Sequence, residues 1–207
     1  MIGQILSTQR TMVSKERLLN LETQCKKFID TSYSFVECGV AKGGCLALMK
    51  HVAGTNNKIF GLDSFEGLPA ITEKDRGTLN CSNPDEFVNT NLSGGIQSVY
   101  ETFNILKLDM TGVHLIKGFF KDTLIKETID SMGTIAVLRL DGDWYESTKI
   151  CLESLYDKVI VGGIIIIDDY GHWVGAKNAT DEFRTKRSIA SPLQKTDYTE
   201  YYWIKTD

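Results

Sequence analysis

Leu138-Arg139-Leu140-Asp141-Gly142-Asp143-Trp144-Tyr145, taken together with Ile164-Ile165-Ile166-Ile167-Asp168-Asp169-Tyr170, decides the fold. Each stretch begins as an apolar run of the kind found in fully buried parallel strands, and each stops abruptly at acidic residues. Two strands therefore deliver Asp141, Asp143, Asp168 and Asp169 to one edge of one sheet. In open α/β sheets that carboxyl edge is where ligands bind. Clustered carboxylates repel one another unless something positive sits among them, and a hard divalent cation such as Mg²⁺ is the simplest answer.

Upstream, Ser34-Phe35-Val36-Glu37-Cys38 reads as a first strand running into Gly39-Val40-Ala41-Lys42-Gly43-Gly44, after which Leu46, Met49, Val52 and Ala53 recur at helical spacing. The glycines sit at a strand-to-helix turn, where the backbone can approach a nucleotide-like ligand and a helix N-terminus offers free N–H groups. The spacing is G-x-x-x-G-G rather than G-x-G-x-x-G, and glycine turns also occur with nothing bound. Lys58-Ile59-Phe60-Gly61-Leu62-Asp63 is a second short strand ending in an acid 26 residues after Glu37. Such an acid can accept hydrogen bonds from both ribose hydroxyls, or it can be an ordinary turn or cap aspartate. Turn and acid together favour a nucleoside ligand.

The rest of the chain alternates strand and helix. An amphipathic helix is expected over 12–29, with Leu18, Leu19, Cys25, Phe28 and Ile29 as its apolar positions. Helices are also expected over about 96–107, 122–131, 145–157 and 176–186, with strands at 113–116, 134–140, 159–167 and 198–204. Between residues 67 and 95 the pattern dissolves into turn residues, with a short helix near 85–91 behind Pro84. A segment that long is either a lid over the cleft or a passive surface insertion. The pattern predicts a three-layer, doubly wound, mostly parallel α/β sheet whose final strand enters antiparallel at or near an edge.

Composition sets the outer limits. At 207 residues the chain suits one domain with a substantial core. A net charge of -4 argues against nucleic-acid binding, which needs a basic face. The 5 cysteines are odd in number and scattered, which suits a reducing cytoplasm better than a disulfide framework or a zinc site. The N-terminus lacks the pattern of a signal peptide, and no apolar run approaches the roughly 20 residues of a spanning helix, so no membrane partner is expected.

The motifs resemble, in order, those of the macrocin O-methyltransferase family, S-adenosylmethionine- and metal-dependent sugar O-methyltransferases. The matching stretches are 35–44, Gly61-Leu62-Asp63-Ser64-Phe65-Glu66-Gly67-Leu68-Pro69, Lys117-Gly118-Phe119-Phe120-Lys121-Asp122-Thr123-Leu124, 138–148 and Asp168-Asp169-Tyr170-Gly171. The resemblance implies a class I methyltransferase fold of seven strands, the last antiparallel. It implies that Glu37 and Gly39, with Val40 and Gly43 of the same turn, hold the methionine part of S-adenosyl-L-methionine, and that Asp63 holds its ribose. Ser64, Gly118 and Phe119 would lie near the adenosine. Asp141, beside the cofactor, would join Asp168 and Asp169 in binding Mg²⁺ or Mn²⁺, and Asp143 would be the general base. The N-terminus is shorter than in typical members and the 67–95 segment diverges, which leaves the sugar or glycoside acceptor and a homodimer open.

The residue types suit that chemistry. A sugar hydroxyl is a poor nucleophile near neutral pH; a bound cation lowers its pKa, and a carboxylate within reach takes the proton. Asp143 can equally be an N-cap for the helix after it, since it stands three residues ahead of Glu146. The Asp168-Asp169 pair is costly at the end of a buried strand without a cation or hydrogen bonds, although a plain turn is the competing reading. His172 is a base, a metal neighbour, a substrate contact or a surface residue. Competing functions are a catechol or phenol O-methyltransferase, a non-catalytic S-adenosylmethionine-binding protein and, less well matched in glycine spacing, a nicotinamide-dependent oxidoreductase.

Overall fold

The computed structural model describes residues 1–53, 56–77, 79, 84 and 94–206. In chain order the elements are α1 (Ile2–Ser7), α2 (Lys15–Lys26), β1 (Ser34–Cys38), α3 (Gly44–Val52), β2 (Ile59–Asp63), α4 (Gly95–Ile105), β3 (Val113–Lys117), α5 (Phe120–Thr123), α6 (Lys126–Met132), β4 (Ile135–Leu140), α7 (Tyr145–Leu155), β5 (Val159–Ile167), α8 (Val174–Lys186), β6 (Gln194–Lys195) and β7 (Tyr201–Ile204). They build one 7-stranded sheet in the order β3-β2-β1-β4-β5-β7-β6. β1 to β5 pair in parallel, and β7 runs antiparallel to both β5 and β6. The strand order reverses between β1 and β4, and there the two crossover directions diverge and open a crevice at the strand ends.

Side-chain alternation along the strands builds both outer layers. Phe35, Val137, Ile164 and Ile166 face a core shared with Leu18 and Leu21 of α2, Leu46 and Met49 of α3, and Phe103 of α4. Val36, Leu138, Ile165 and Ile167 face the opposite core, with Leu152 and Leu155 of α7 and Phe183 of α8. Every residue of β1 and β4 is buried, as the continuous apolar runs require of strands covered on both faces.

Several boundaries differ from the sequence expectation, each for a local reason. The first long helix starts at Lys15 rather than 12, because the Ser14 side chain accepts a hydrogen bond from Arg17 N–H and caps it. It is preceded by α1, six residues that the periodicity did not reveal. The expected 122–131 helix is two, α5 and α6, broken where Leu124 leaves helical geometry at φ -81 and ψ 54. The last strand is shorter than 198–204; it enters antiparallel near the edge, as expected, with the 2-residue β6 beyond it. The expected helix near 85–91 lies outside the described residues. Among those residues no helix is long and apolar enough to cross a membrane.

Burial along the strands predicts contrasting sensitivities. Leu138→Ala should cost about 2–5 kcal/mol, the range for deleting buried methyls from a packed core. Val161→Ala, at a β5 position that is 66% exposed, should stay within about 0.5 kcal/mol. Urea unfolding followed by circular dichroism compares them, and equal losses would contradict the packing described.

Candidate active site

The site begins with a close backbone contact. Asp141 N–H donates to Cys38 C=O at 2.8 Å, extending the β1–β4 ladder past the end of both strands. A Cβ on Gly39, whose φ is +95, would lie 1.7 Å from the Asp141 carbonyl oxygen, so only glycine admits this approach. Asp168 N–H donates to Leu140 C=O at 2.9 Å, which brings the β5 acids alongside.

Below that contact lies Arg139, almost completely buried. Its Nη1 donates to Glu37 Oε1 at 2.9 Å and to Asp141 Oδ2 at 2.8 Å, and its Nη2 donates to Asp168 Oδ1. Arg17 of α2 donates through Nη1 to Asp168 Oδ2 at 2.5 Å and pairs through Nε with Asp197 at 3.1 Å. Sequence reasoning looked for an external cation and missed both arginines. The signal for Arg139 was available: a charged residue inside an otherwise apolar strand is seldom tolerated without a buried partner.

Arg139 partly offsets the effect of burial on these acids. Burial pushes Glu37 up to about 8 and Asp168 up to about 6, with Arg139 pulling each back and Arg17 assisting at Asp168. Asp143 is pushed up to about 7, first by burial and then by the charge of Asp141, against an opposing hydrogen bond from Trp173. Asp169 is raised well above the usual carboxylate range, by burial and then by Asp143.

The four strand-end acids separate into two groups. Asp141, Asp143 and Asp169 can each bring one oxygen within 4.8 Å of the others. Asp168, which the sequence reading joined to Asp141 and Asp169, has both oxygens hydrogen-bonded to guanidinium groups instead. Asp143 has φ 58; its N–H donates to Asp169 Oδ2 at 3.1 Å and its Oδ1 accepts from Trp173 Nε1 at 2.8 Å. It is not the N-cap of α7, a position occupied by Trp144 without a side-chain cap bond.

The glycine turn is folded by Asp63. Its Oδ2 accepts from the N–H groups of Val40 and Ala41 at 2.8 Å each, and its Oδ1 accepts from Phe65 N–H at 2.6 Å. Ser64 Oγ donates to Gly67 C=O at 2.7 Å, and Gly118, at φ +141, donates its N–H to Asp63 C=O at 2.9 Å. Gly43, at φ 85, is the N-cap of α3.

Two cavities meet at Gly39, Asp141 and Asp143. The first, of about 390 Å³, is bounded by Asp63, Ser64, Leu68, Pro69, Phe119 and Gly142. The second, of about 290 Å³, is bounded by Glu37, Val40, Arg17, Asp168, Asp169 and His172. Residues 9–13 reach the second cavity. His172 lies half-buried, edge-on to Trp173 at 4.3 Å and to Tyr198 at 6.0 Å, and burial lowers its pKa.

A 3-2-1-4-5-7-6 sheet with a glycine turn after its first strand and acids at the ends of its second, fourth and fifth defines a class I methyltransferase. The family is shown by comparison: residues 5–205 match the macrocin O-methyltransferase (TylF) family, and the chain belongs to it. It is 36% identical over 202 residues to demethyldecarbamoylnovobiocin O-methyltransferase of Streptomyces niveus, covering 95% of this chain and 76% of that one. It is 32% identical over 206 residues to the 8-demethyl-8-(2,3-dimethoxy-alpha-L-rhamnosyl)-tetracenomycin-C 4'-O-methyltransferase of Streptomyces olivaceus, covering 97% and 77%. Its structure matches that of the O-methyltransferase NovP with a TM-score of 0.82 at 34% identity, over 96% of this chain and 83% of the other. The protein is an S-adenosylmethionine-dependent O-methyltransferase.

Removing the central arginine tests the electrostatics. Arg139→Met should cost about 3–5 kcal/mol near pH 8, since it strands buried carboxylates. A carboxyl whose folded pKa lies above its unfolded value loses stability as pH rises between the two. The cost of the substitution should therefore shrink as pH falls from 8 toward 5 and Glu37 and Asp168 take up protons. Denaturant titrations across that range check the slope; a pH-independent cost would contradict the assignment.

Proposed function

We propose that this methyltransferase transfers the methyl group of S-adenosylmethionine to a hydroxyl of a sugar or glycoside, with a divalent metal ion at the strand-end acids. The observation that carries the reading is that Asp141, Asp143, Asp168 and Asp169 line one cavity together, three of them, Asp141, Asp143 and Asp169, with oxygens within 4.8 Å of one another. An all-oxygen donor set fits Mg²⁺ or Mn²⁺. The acceptor class is favoured by the relative whose name specifies a rhamnosyl-bearing tetracenomycin.

In this reading Asp141, Asp168 and Asp169 hold the ion. A carboxylate offers about four lone-pair sites, so Asp168 can keep its arginines and still give one oxygen. When bound, the ion would lower the pKa of the acceptor hydroxyl and orient it. Asp143 takes the proton through Oδ2 while Trp173 holds Oδ1 and fixes the plane of the carboxylate. Glu37 receives the cofactor's ammonium group: its Oε2 is buried without a hydrogen-bond partner, and a buried acceptor in that state calls for a donor. Val40, Gly39 and Gly43 let the methionine part lie against the turn, and Asp63, keeping its three amides, offers its remaining lone pair to the ribose hydroxyls. Ser64, Gly118 and Phe119 border the adenosine.

The test is methyl transfer from labelled S-adenosylmethionine to a panel of glycosides and nucleotide sugars, with catechols alongside, with and without chelator. Transfer to glycosides that stops on chelation and returns with Mg²⁺ or Mn²⁺ is expected; transfer unaffected by metal removal, or confined to catechols, would overturn the reading. Asp143→Asn should keep Mn²⁺ and cofactor affinity within about twofold while lowering kcat by about 10²–10⁴-fold, the usual general-base contribution. Loss of Mn²⁺ binding in that variant would instead make Asp143 a metal ligand.

A further inference from the structure

The geometry points to Asp75 as a positioning residue: from the segment that covers the first cavity, its carboxylate caps α7 and so holds the turn at residues 142–144 that carries Asp143. This inference rests on the proposed role of Asp143 and extends it to a residue some seventy positions away in sequence.

The turn needs holding. Trp144 N–H donates to Gly142 C=O at 2.6 Å, closing a three-residue turn with Asp143 at its centre and φ positive. A non-glycine residue in that region is strained by about 1–3 kcal/mol and persists only where its surroundings over-determine it. On the entry side, Asp141 N–H is tied to β1. On the exit side, α7 begins with N–H groups that lack intrahelical partners, and its own N-cap supplies no side-chain oxygen.

Asp75 fills that role. It is 2% exposed; Oδ1 accepts from Tyr145 N–H at 2.6 Å, and Oδ2 accepts from Thr72 N–H and Thr72 Oγ at 2.8 Å each. A negative charge at a helix N-terminus is also favoured by the helix dipole. The contact is built for closeness, since a Cβ on Gly175 of α8 would lie 2.1 Å from Asp75 Oδ1 and 2.7 Å from Tyr145 N. The same segment is fastened beside it: Trp144 Nε1 donates to Pro69 C=O at 3.0 Å, and Leu68 and Ile71 pack on Trp144 and Trp173. With the helix capped from outside, Asp143 keeps its carboxylate for Trp173 and the site.

Asp75→Ala and Asp75→Asn test this with three measurements: hydrogen–deuterium exchange of peptides covering 141–148, the cofactor Kd by calorimetry, and steady-state kinetics. In Asp75→Ala, exchange in that peptide should rise while β1 and β4 keep their protection. kcat per folded site should fall roughly tenfold or more, as misplacement of a reacting group does, with the cofactor Kd within about twofold. Asp75→Asn retains an oxygen for Tyr145 N–H and should recover part of both effects; should the alanine variant not fold, the asparagine variant decides alone, shifting the same way by less. Parental exchange rates, or raised exchange with unchanged kcat, would overturn the inference. A parent enzyme that methylates no hydroxyl would sink the proposed reaction, and exchange at 141–148 would still decide the link to Asp75.

Discussion

The pairing of Arg139 with Glu37, Asp141 and Asp168 is the constraint on which this architecture depends. Sheet topology forces the carboxyl ends of β1, β4 and β5 together, and the sequence puts acids at or beside each. Without a counter-charge the desolvation and mutual repulsion of these groups would exceed what packing in a sheet this size returns. One guanidinium offers five donors in a planar fork and thereby fastens three strands at their functional ends. It does not neutralise everything. Among the described residues the cations paired with Glu37, Asp141 and Asp168 are Arg139 and Arg17, no ion pair reaches Asp143 or Asp169, and the buried Glu37 Oε2 and Arg139 Nε atoms have no hydrogen-bond partner. A deficit of positive charge remains where a sulfonium, an ammonium and a metal cation would be attracted.

The turn after β1 is shaped chiefly by backbone contacts. Gly39 allows the turn after β1 to touch the chain at Asp141, where the two cavities meet. Asp63 then gathers the Val40, Ala41 and Phe65 amides, so that the β2 carboxylate organises the β1 turn. Turn and acid, separate signals in the sequence, form one hydrogen-bonded unit.

Much of this was legible in the residues. The apolar runs ending in acids marked the central parallel strands and the edge where their acids gather, because burial on both faces of a parallel sheet leaves a pattern few other elements share. Helix limits were less legible where a side chain decided them, as Ser14 does for α2, and β6 is too short for any periodicity to register. The site was half legible. Asp141 and Asp169 are where the strand ends imply, but the association of Asp168 with arginines depends on contacts between distant parts of the chain. So does the capping of α7: sequence spacing offered Asp143, three residues before Glu146, and could not reveal that Asp75, far away in the chain, takes over the task.

A register irregularity explains why Arg139, rather than a neighbouring leucine, meets Glu37. Ser34 pairs with Ile135 but Phe35 with Val137, so one residue of β4, Ala136, is passed over between them. Had the ladder continued evenly, Phe35 would oppose Ala136 and Glu37 would oppose Leu138, leaving a buried carboxylate against an apolar side chain. The shift makes the pairs Val36 with Leu138, Glu37 with Arg139 and Cys38 with Leu140, and on the other flank Arg139 with Ile166. Since the side-chain period is two, it also moves Arg139 to the face occupied by Phe35, Val137 and Ile166, where α2 brings Arg17 to Asp168. Bulges that re-aim a side chain beside an active site are a recurrent device; here a single skipped residue converts two incompatible strands into the ion-paired floor of the catalytic cleft.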